Sequence, residues 1–402
     1  MDAKVTTPPG AEFIALVAMT TSLVAMSIDT MLPALGDMAS ELNAAHENDR
    51  QLVLSAFFGG LSVGQLIWGP VSDSTGRKPS LFIGLGLFML GNLLCAVTHS
   101  FGWLLAGRAL SGFGAAAPRI VSIALVRDLY AGRAMARVMS FVSTVFILVP
   151  VLAPSIGQAV LTVTSWRAIF AGLVVMAMLN WVWFGLRQPE TLPAARRNRF
   201  SVRNVARSTL EVFKTRVTLG YLLATGATFG AFIAYLATAQ QLFQEQYGLG
   251  KLFPVYFGAL AAAIGVASFV NGKLVMRFGM RRLSRAALLA NCGLTACAFA
   301  GSWLLQGHPP LFALMGFMLV CFFLNGILFG NFNARAMEPM GHIAGVAAAV
   351  TGSVGGVVAL IIGTPFGWAY DGSVLPLVAG FMTAALLSLA LTEWAERGAT
   401  TF

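Results

Sequence analysis

Asp29 lies in a run from Ala11 to Leu35 that is otherwise almost wholly apolar. Crossing the hydrocarbon of a bilayer as a helix takes about 20 apolar residues, and this run is long enough. Asp29 stands six residues before its far end, too deep for an interfacial anchor. A charge at that depth costs a few kcal/mol or more, so it is kept by pairing, by protonation or by facing a wet cavity. The chemistry such a carboxyl offers is reversible proton uptake, provided its exposure alternates between the two sides of a membrane.

A later apolar run carries two arginines, Arg108 and Arg119. Arg108 and Asp29 each sit roughly six residues below the same end of the bilayer, a depth of ~9 Å at ~1.5 Å per residue. Equal depth makes them natural partners. A nearby guanidinium favours the carboxylate and burial favours the acid, so surroundings that change between two states make a proton bind in one and leave in the other. A permanent structural ion pair is the alternative reading. Arg119 lies eleven residues after Arg108 and has no acid at matching depth, Glu12 being too near the helix end. It is expected to face the cavity and attract an anionic or carbonyl-bearing group, or else to satisfy itself on backbone carbonyls. A lone cation in a cavity disfavours substrates that are all lipophilic cations. In the second half Tyr235, Gln240, Gln241, Asn325 and Asn331 are polar within apolar runs, close to Phe232, Phe322 and Phe323. Amides and aromatics suit a cavity for varied amphiphilic ligands; hydrogen bonding between helices is the competing use.

The elements that must position these groups are read from the hydropathy pattern. The 402 residues are 57% hydrophobic and only 10% charged, whereas soluble domains carry about 25% charged residues. Twelve apolar spans are expected, near 11–35, 50–71, 79–99, 102–126, 136–161, 165–187, 217–242, 252–276, 283–305, 310–333, 342–366 and 373–394. They should be helices, since lipid offers the backbone no hydrogen-bond partners. The net charge of +10 sits in short loops and forms no single patch, so nucleic acid is excluded as a partner. Arg77, Lys78, Arg127, Arg133, Arg137, Lys273, Arg277, Arg281, Arg282, Arg285 and Arg335 fall on one side, with the basic stretch 187–216. The other side holds only Arg50, Arg167 and Lys251. That bias puts both termini in the cytoplasm. The stretch from Arg187 to Arg216, which includes Arg196, Arg197, Arg199, Arg203 and Arg207, is read as a cytoplasmic linker that touches anionic headgroups. No cleavable signal peptide is expected in Met1 to Gly10. Cys95, Cys292, Cys297 and Cys321 all fall in apolar runs and give neither a disulfide framework nor metal-ligand spacing.

The chain repeats. Gly69-Pro70-Val71-Ser72-Asp73-Ser74-Thr75-Gly76-Arg77-Lys78 follows the second span, and Gly272 to Arg282 follows the eighth with the same glycines and basic pair, Met276 replacing the acid. Six spans per half suggest two bundles facing each other across a central cavity. The expected organisation is a bundle over 1–187, a linker over 188–216 and a second bundle over 217–402.

GPVSDSTGRKPS resembles the loop signature of the major facilitator superfamily. SIDTMLPALGDMA, AGRALSGFGAAAPRIVSIALVRDLYAGRA, SWRAIF and PETL resemble its Bcr/CflA branch of drug:proton antiporters. VPVLAPSIGQ resembles the antiporter motif of the fifth helix, with Ala153 and Gln158 departing from its fullest form. The resemblance implies an all-α membrane fold of twelve helices in two pseudo-two-fold bundles. It implies a gating role for Gly69, Asp73, Gly76, Arg77 and Lys78, and a helix-bending and packing role for Pro150, Pro154 and Gly157. It implies Asp29 as protonation site with Arg108 tuning it. Some members carry a second acid two turns before Asp29; Thr21 stands there, so a second proton site is not expected.

The function expected is proton-coupled efflux of small hydrophobic drugs or metabolites across a bacterial inner membrane. A symporter of a small organic anion, anchored by Arg119, is the alternative. An enzyme is not expected, since no His cluster, paired acids or nucleophile elbow appears. Neither is a nucleotide-driven pump, since the phosphate loop is missing. No cofactor or metal is implied. The partners are a small-molecule substrate, protons and membrane lipids, and the chain is expected to act as a monomer.

Overall fold

The computed structural model describes residues 10–197 and 202–397. Arg199 of the basic stretch and nearly all of the segment read for a signal peptide lie outside the described residues. The described chain is helical: α1 (Ala11–Asp29), α2 (Leu35–Glu41), α3 (Leu52–Thr75), α4 (Arg77–Val97), α5 (Phe101–Leu129), α6 (Gly132–Val163), α7 (Arg167–Arg187), α8 (Val202–Lys214), α9 (Arg216–Gln240), α10 (Phe253–Phe278), α11 (Met280–Leu304), α12 (Leu311–Met337), α13 (Ala344–Trp368) and α14 (Leu375–Glu396). All but α2 and α8 are long and apolar enough to cross a bilayer. Residues 311–368 form one 58-residue apolar stretch. It divides at a 3-10 turn, Glu338–Ile343, where Pro339 and the non-helical Met340 end α12. The twelve-helix architecture read from the sequence is therefore present.

The first span departs from expectation. It is not one helix to Leu35: α1 stops at Asp29, and a 3-10 turn over Leu32–Ala34 leads into α2. Pro33 explains the stop. A proline in a helix lacks the N–H owed to the carbonyl four residues back and its ring crowds that carbonyl. Four residues before Pro33 is Asp29.

The chain forms two compact units: Met1–Ala44 with Ala56–Val205, and Ala45–Ser55 with Ala206–Phe402. In the first, α4 lies along α5 and α7, and α1 packs on α5, α6 and α7. In the second, α9 packs between α13 and α14, and α12 lies against α10 and α11. The segment 45–55, with its 3-10 turn Glu47–Gln51, belongs to the second unit.

The repeated loop makes the same turn in both units. Gly76 starts α4 at φ 114° and ψ 160°, and Gly279 starts α11 at φ 75° and ψ 156°. That region is open essentially to glycine alone. At Gly279 a Cβ would meet open space, whereas at Gly76 it would lie 2.5 Å from a Glu190 carboxylate oxygen.

Gly279→Ala should therefore cost about 1–3 kcal/mol from backbone strain alone, and Gly76→Ala more, because Glu190 must also move. Thermal unfolding of the purified protein in detergent reads this order. Gly86→Ala, in α4 where a Cβ has free space, should leave the midpoint unchanged or raise it slightly.

Candidate functional site

Asp29 is 4% exposed at the broken end of α1. The break is held from the side by α6, whose buried residues Ala153, Pro154 and Gly157 share one face. A Cβ on Gly157 would lie 1.8 Å from the carbonyl oxygen of Thr30 and 3.3 Å from the ring of Pro33. Only a glycine admits that approach. Pro150 stands one turn before Pro154, and α6 continues as helix through both. The glycine of the fifth-span motif thus presses on Thr30 and Pro33, which follow Asp29.

Arg108 of α5 is fully buried. Its Nη1 donates to Ser27 Oγ at 3.0 Å and its Nη2 to the Ser27 carbonyl at 3.2 Å. The guanidinium lies 4.4 Å from the ring centre of Phe57 and 5.8 Å from that of Phe170. The direct Asp29–Arg108 pair expected from equal depth is not formed among the described residues. The reason is angular: residues two apart on a helix do not share a face, so an arginine that reaches Ser27 is turned away from Asp29. Ser27, Phe57 and Phe170 were not legible as site residues; a serine two positions before an intramembrane acid is a slight signal, and the phenylalanines carry none. Two turns earlier, Asn180 of α7 donates to Thr20 Oγ1 at 2.9 Å, tying α7 to α1. Thr21 bonds back to its own helix, at Val17 and Ala18. Arg119, on α5, is exposed and makes no ion pair among the described residues.

In the second unit Tyr235 is buried, stacked on Phe257 at 5.6 Å and edge-on to Phe322 at 4.8 Å. Gln240 accepts from Arg50 Nη1 at 2.9 Å, and Arg50 forms an ion pair with Glu245 at 2.6 Å. Gln241 donates to Asn48 at 2.9 Å and accepts from Gln51 at 3.1 Å. Both glutamines are thus taken up by the segment 45–55. Beside them a cavity of about 440 Å³ is lined by Glu47, Asn48, Gln241, Glu245, Gln246 and Tyr370. Burial, with Glu245 adding to it, pushes the Tyr370 phenol up to about 12, so it stays protonated and donates to Gln246 at 3.1 Å. Asn331 exchanges hydrogen bonds with Asn271 at 3.0 and 3.2 Å, and Asn325 accepts from Asn291 at 3.4 Å. The structure spends these two amides on joining α12 to α10 and α11.

The repeated loops carry charge networks. Arg77, almost buried, bonds Asp73 at 2.5 Å, Asp128 at 2.8 Å and Ser72 at 2.8 Å. Glu190 accepts the backbone N–H groups of Arg77 and Lys78 at 3.0 and 3.1 Å, capping α4. Lys78 Nζ donates to the carbonyls of Gly185 and Gln188. Gly69 lies one turn before Asp73 near the end of α3, and its carbonyl accepts from Ser72 Oγ at 3.0 Å. Asp128 was missed because it sits at the far end of α5, 51 residues from Arg77. In the second unit, where Met276 replaces the acid, α14 supplies it. Glu396 binds Arg335 at 2.5 Å and Arg281 at 3.3 Å, and accepts from the Tyr221 hydroxyl at 2.8 Å.

Comparison with known proteins agrees with this architecture. The family described as Major Facilitator Superfamily matches residues 17–364. The chain is 32% identical over 394 residues to the uncharacterized MFS-type transporter YdgK of Bacillus subtilis, covering 95% of this chain and 96% of that one. It is 31% identical to a bicyclomycin resistance protein homolog of Haemophilus influenzae, over 88% of each chain. It is 28% identical to the multidrug resistance protein MdtL of Salmonella paratyphi A, over 81% and 80% of the two chains. Among solved structures, the xylose transporter XylE of E. coli superposes with a TM-score of 0.74 at 12% identity, covering 97% of this chain and 99% of that one. The human organic anion transporter MFSD10 superposes with a TM-score of 0.68 at 18% identity, covering 97% and 100%.

Gly157→Ala forces a methyl group into the Thr30 carbonyl and should destabilise the first unit by about 1–3 kcal/mol through overpacking. Thermal unfolding in detergent measures it, with Gly172→Ala, where a Cβ meets open space, as the variant that should behave as wild type.

Proposed function

The chain belongs to the major facilitator superfamily, and from that premise we propose that it is a proton-coupled exporter of small hydrophobic compounds. It is a multi-pass membrane transporter and not an enzyme. Its relatives include proteins named for bicyclomycin and multidrug resistance, which supports drug-like substrates. The bias of Lys and Arg toward one set of loops supports an inner-membrane orientation with both termini in the cytoplasm.

The observation that carries the reading is the carboxyl of Asp29, buried at a proline-made helix break two residues after the serine that holds a caged arginine. A carboxylate shut away from water without a cation is costly, so the closed arrangement holds it as the neutral acid. When the break opens to water, the proton leaves, and Arg108, held on Ser27 two residues earlier, is the cation that turns to the carboxylate on this reading. Substrate entry and proton release then exclude one another, which couples efflux to proton influx. Gly157 transmits motion of α6 to the break. The charge networks at Asp73–Arg77–Asp128 and at Glu396 hold the loop ends in one of two arrangements.

A second reading, a transporter of organic anions, is favoured by Arg119. An exposed guanidinium in the middle of an apolar helix is retained where water or an anion meets it. Tyr235 and its aromatic neighbours serve either class of substrate by stacking on apolar parts. We take the protein to work as a monomer, with lipid contacts along its basic linker.

Cells expressing the protein should accumulate less of a fluorescent hydrophobic drug than control cells, and should lose that difference when an ionophore collapses the proton gradient. Asp29→Asn should be present in the membrane at wild-type level yet fail to lower accumulation. Continued pumping against a gradient by this variant would remove Asp29 as the proton carrier. Arg119→Ala should weaken transport of anionic compounds about tenfold, the effect of losing ~1.4 kcal/mol of binding, with a smaller effect on neutral ones; equal loss for both sets the anion reading aside.

A further inference from the structure

We propose that α8 is a docking surface for anionic lipid headgroups of the leaflet on the basic-loop side. The proposal rests on the orientation given above only in naming that leaflet the cytoplasmic one.

Three features of α8 carry it. One side of the helix is fixed to the protein: Val212 is fully buried with Leu222, Met340, Ala347 and Val350, and Glu211 meets His342 at 2.6 Å. The opposite side is bare. Arg203, Arg207, Leu210 and Lys214 are spaced by four, three and four residues, so they share one sector, and all four are exposed. Leu210 is 52% and Phe213 40% exposed, an apolar pair beside three cations. The depth is the third feature. Only Thr215 separates α8 from α9, and Arg216 at the start of α9 donates to the Trp394 carbonyl at 2.8 Å with its guanidinium 5.0 Å from the Trp394 ring centre. Tryptophan and arginine at a span's end mark the boundary between headgroups and water. Those groups put the end of α8 beside the boundary, and on the proposal its bare side lies at headgroup level, where leucine and phenylalanine enter the acyl boundary and the cations meet phosphates. Neutral or cationic surfaces offer the three cations nothing; an anionic bilayer answers both the charge and the apolar pair. A lipid seated there bears on the start of α13 through Val212 and the Glu211–His342 contact.

The full-length protein in nanodiscs of phosphatidylcholine, with or without phosphatidylglycerol, tests this by hydrogen–deuterium exchange of residues 203–214. Exchange should slow about tenfold in the anionic discs, and the slowing should disappear at ~1 M salt. Lys214→Gln should weaken it, and the combined Arg203→Glu, Arg207→Glu and Lys214→Glu chain should abolish it. Equal exchange in both discs overturns the proposal, and so does equal slowing by inorganic phosphate in neutral discs. If the triple variant does not fold, the wild-type comparison between lipids still decides. Both faces of a disc are open to solvent, so the result does not depend on sidedness. Labelling of Lys214→Cys in intact cells reads the orientation separately: reagent reaching it from outside defeats the orientation and leaves the lipid result standing.

Discussion

The carbonyl of Asp29 has no helical partner, because the residue four positions on is Pro33. Much of the first unit follows from that missing hydrogen bond. The helix stops with its carboxyl at the break, α2 begins in a new direction, and α6 must come close enough to cover exposed backbone where no water is available. Gly157 supplies the closeness and Pro154 the matching absence of a donor. A continuous helix with an aspartate on one side would give a buried charge and nothing to move. A broken one gives a carboxyl at a joint.

The two units solve one electrostatic problem with different residues. In the first, Arg77 is neutralised by Asp73 from its own loop and by Asp128 from α5. In the second the loop acid is gone, an arginine stands at the end of α12, and Glu396 from α14 takes both Arg281 and Arg335. The glycine that starts each following helix keeps the same left-handed turn. The backbone of the repeat is thus held by one conformation only glycine accepts, while the charge pattern is redistributed, Arg77 and Arg335 each finding a carboxylate from a different element. That explains why the repeat is visible in Gly76 and Gly279 and not in Asp73 and Met276.

Twelve spans were legible because hydrocarbon enforces length and composition, and the loop motif because its turn needs glycine at fixed positions. The details within the bilayer were less so. Depth along a helix follows from counting residues, but which of its faces meets a given neighbouring helix does not, which is why equal depth suggested an Asp29–Arg108 pair and the structure gives Arg108 to Ser27. Amides in apolar runs are ambiguous for another reason. Asn325 and Asn331 need a partner wherever they sit, and the sequence does not tell a ligand from Asn291 or Asn271. The glutamines Gln240 and Gln241 found theirs in Arg50, Asn48 and Gln51, some 190 residues away.

Arg108 and Arg119 show how one helix treats two identical charges. Arg108 is enclosed by Ser27, Phe57 and Phe170, with ring faces offering the weak attraction that suits a cation without demanding a fixed counter-ion. Enclosure of that kind holds a charge in place while leaving it available to a carboxylate that becomes ionised nearby. Arg119, three turns on, has no such cage and stands exposed. On the proposed reading its cost is met by water or by a ligand. On the proposed cycle the first arginine answers the proton and the second answers the cargo. Their separation along α5 keeps the two from neutralising one another's partners, so a charge arriving at Arg119 does not discharge the coupling at Asp29.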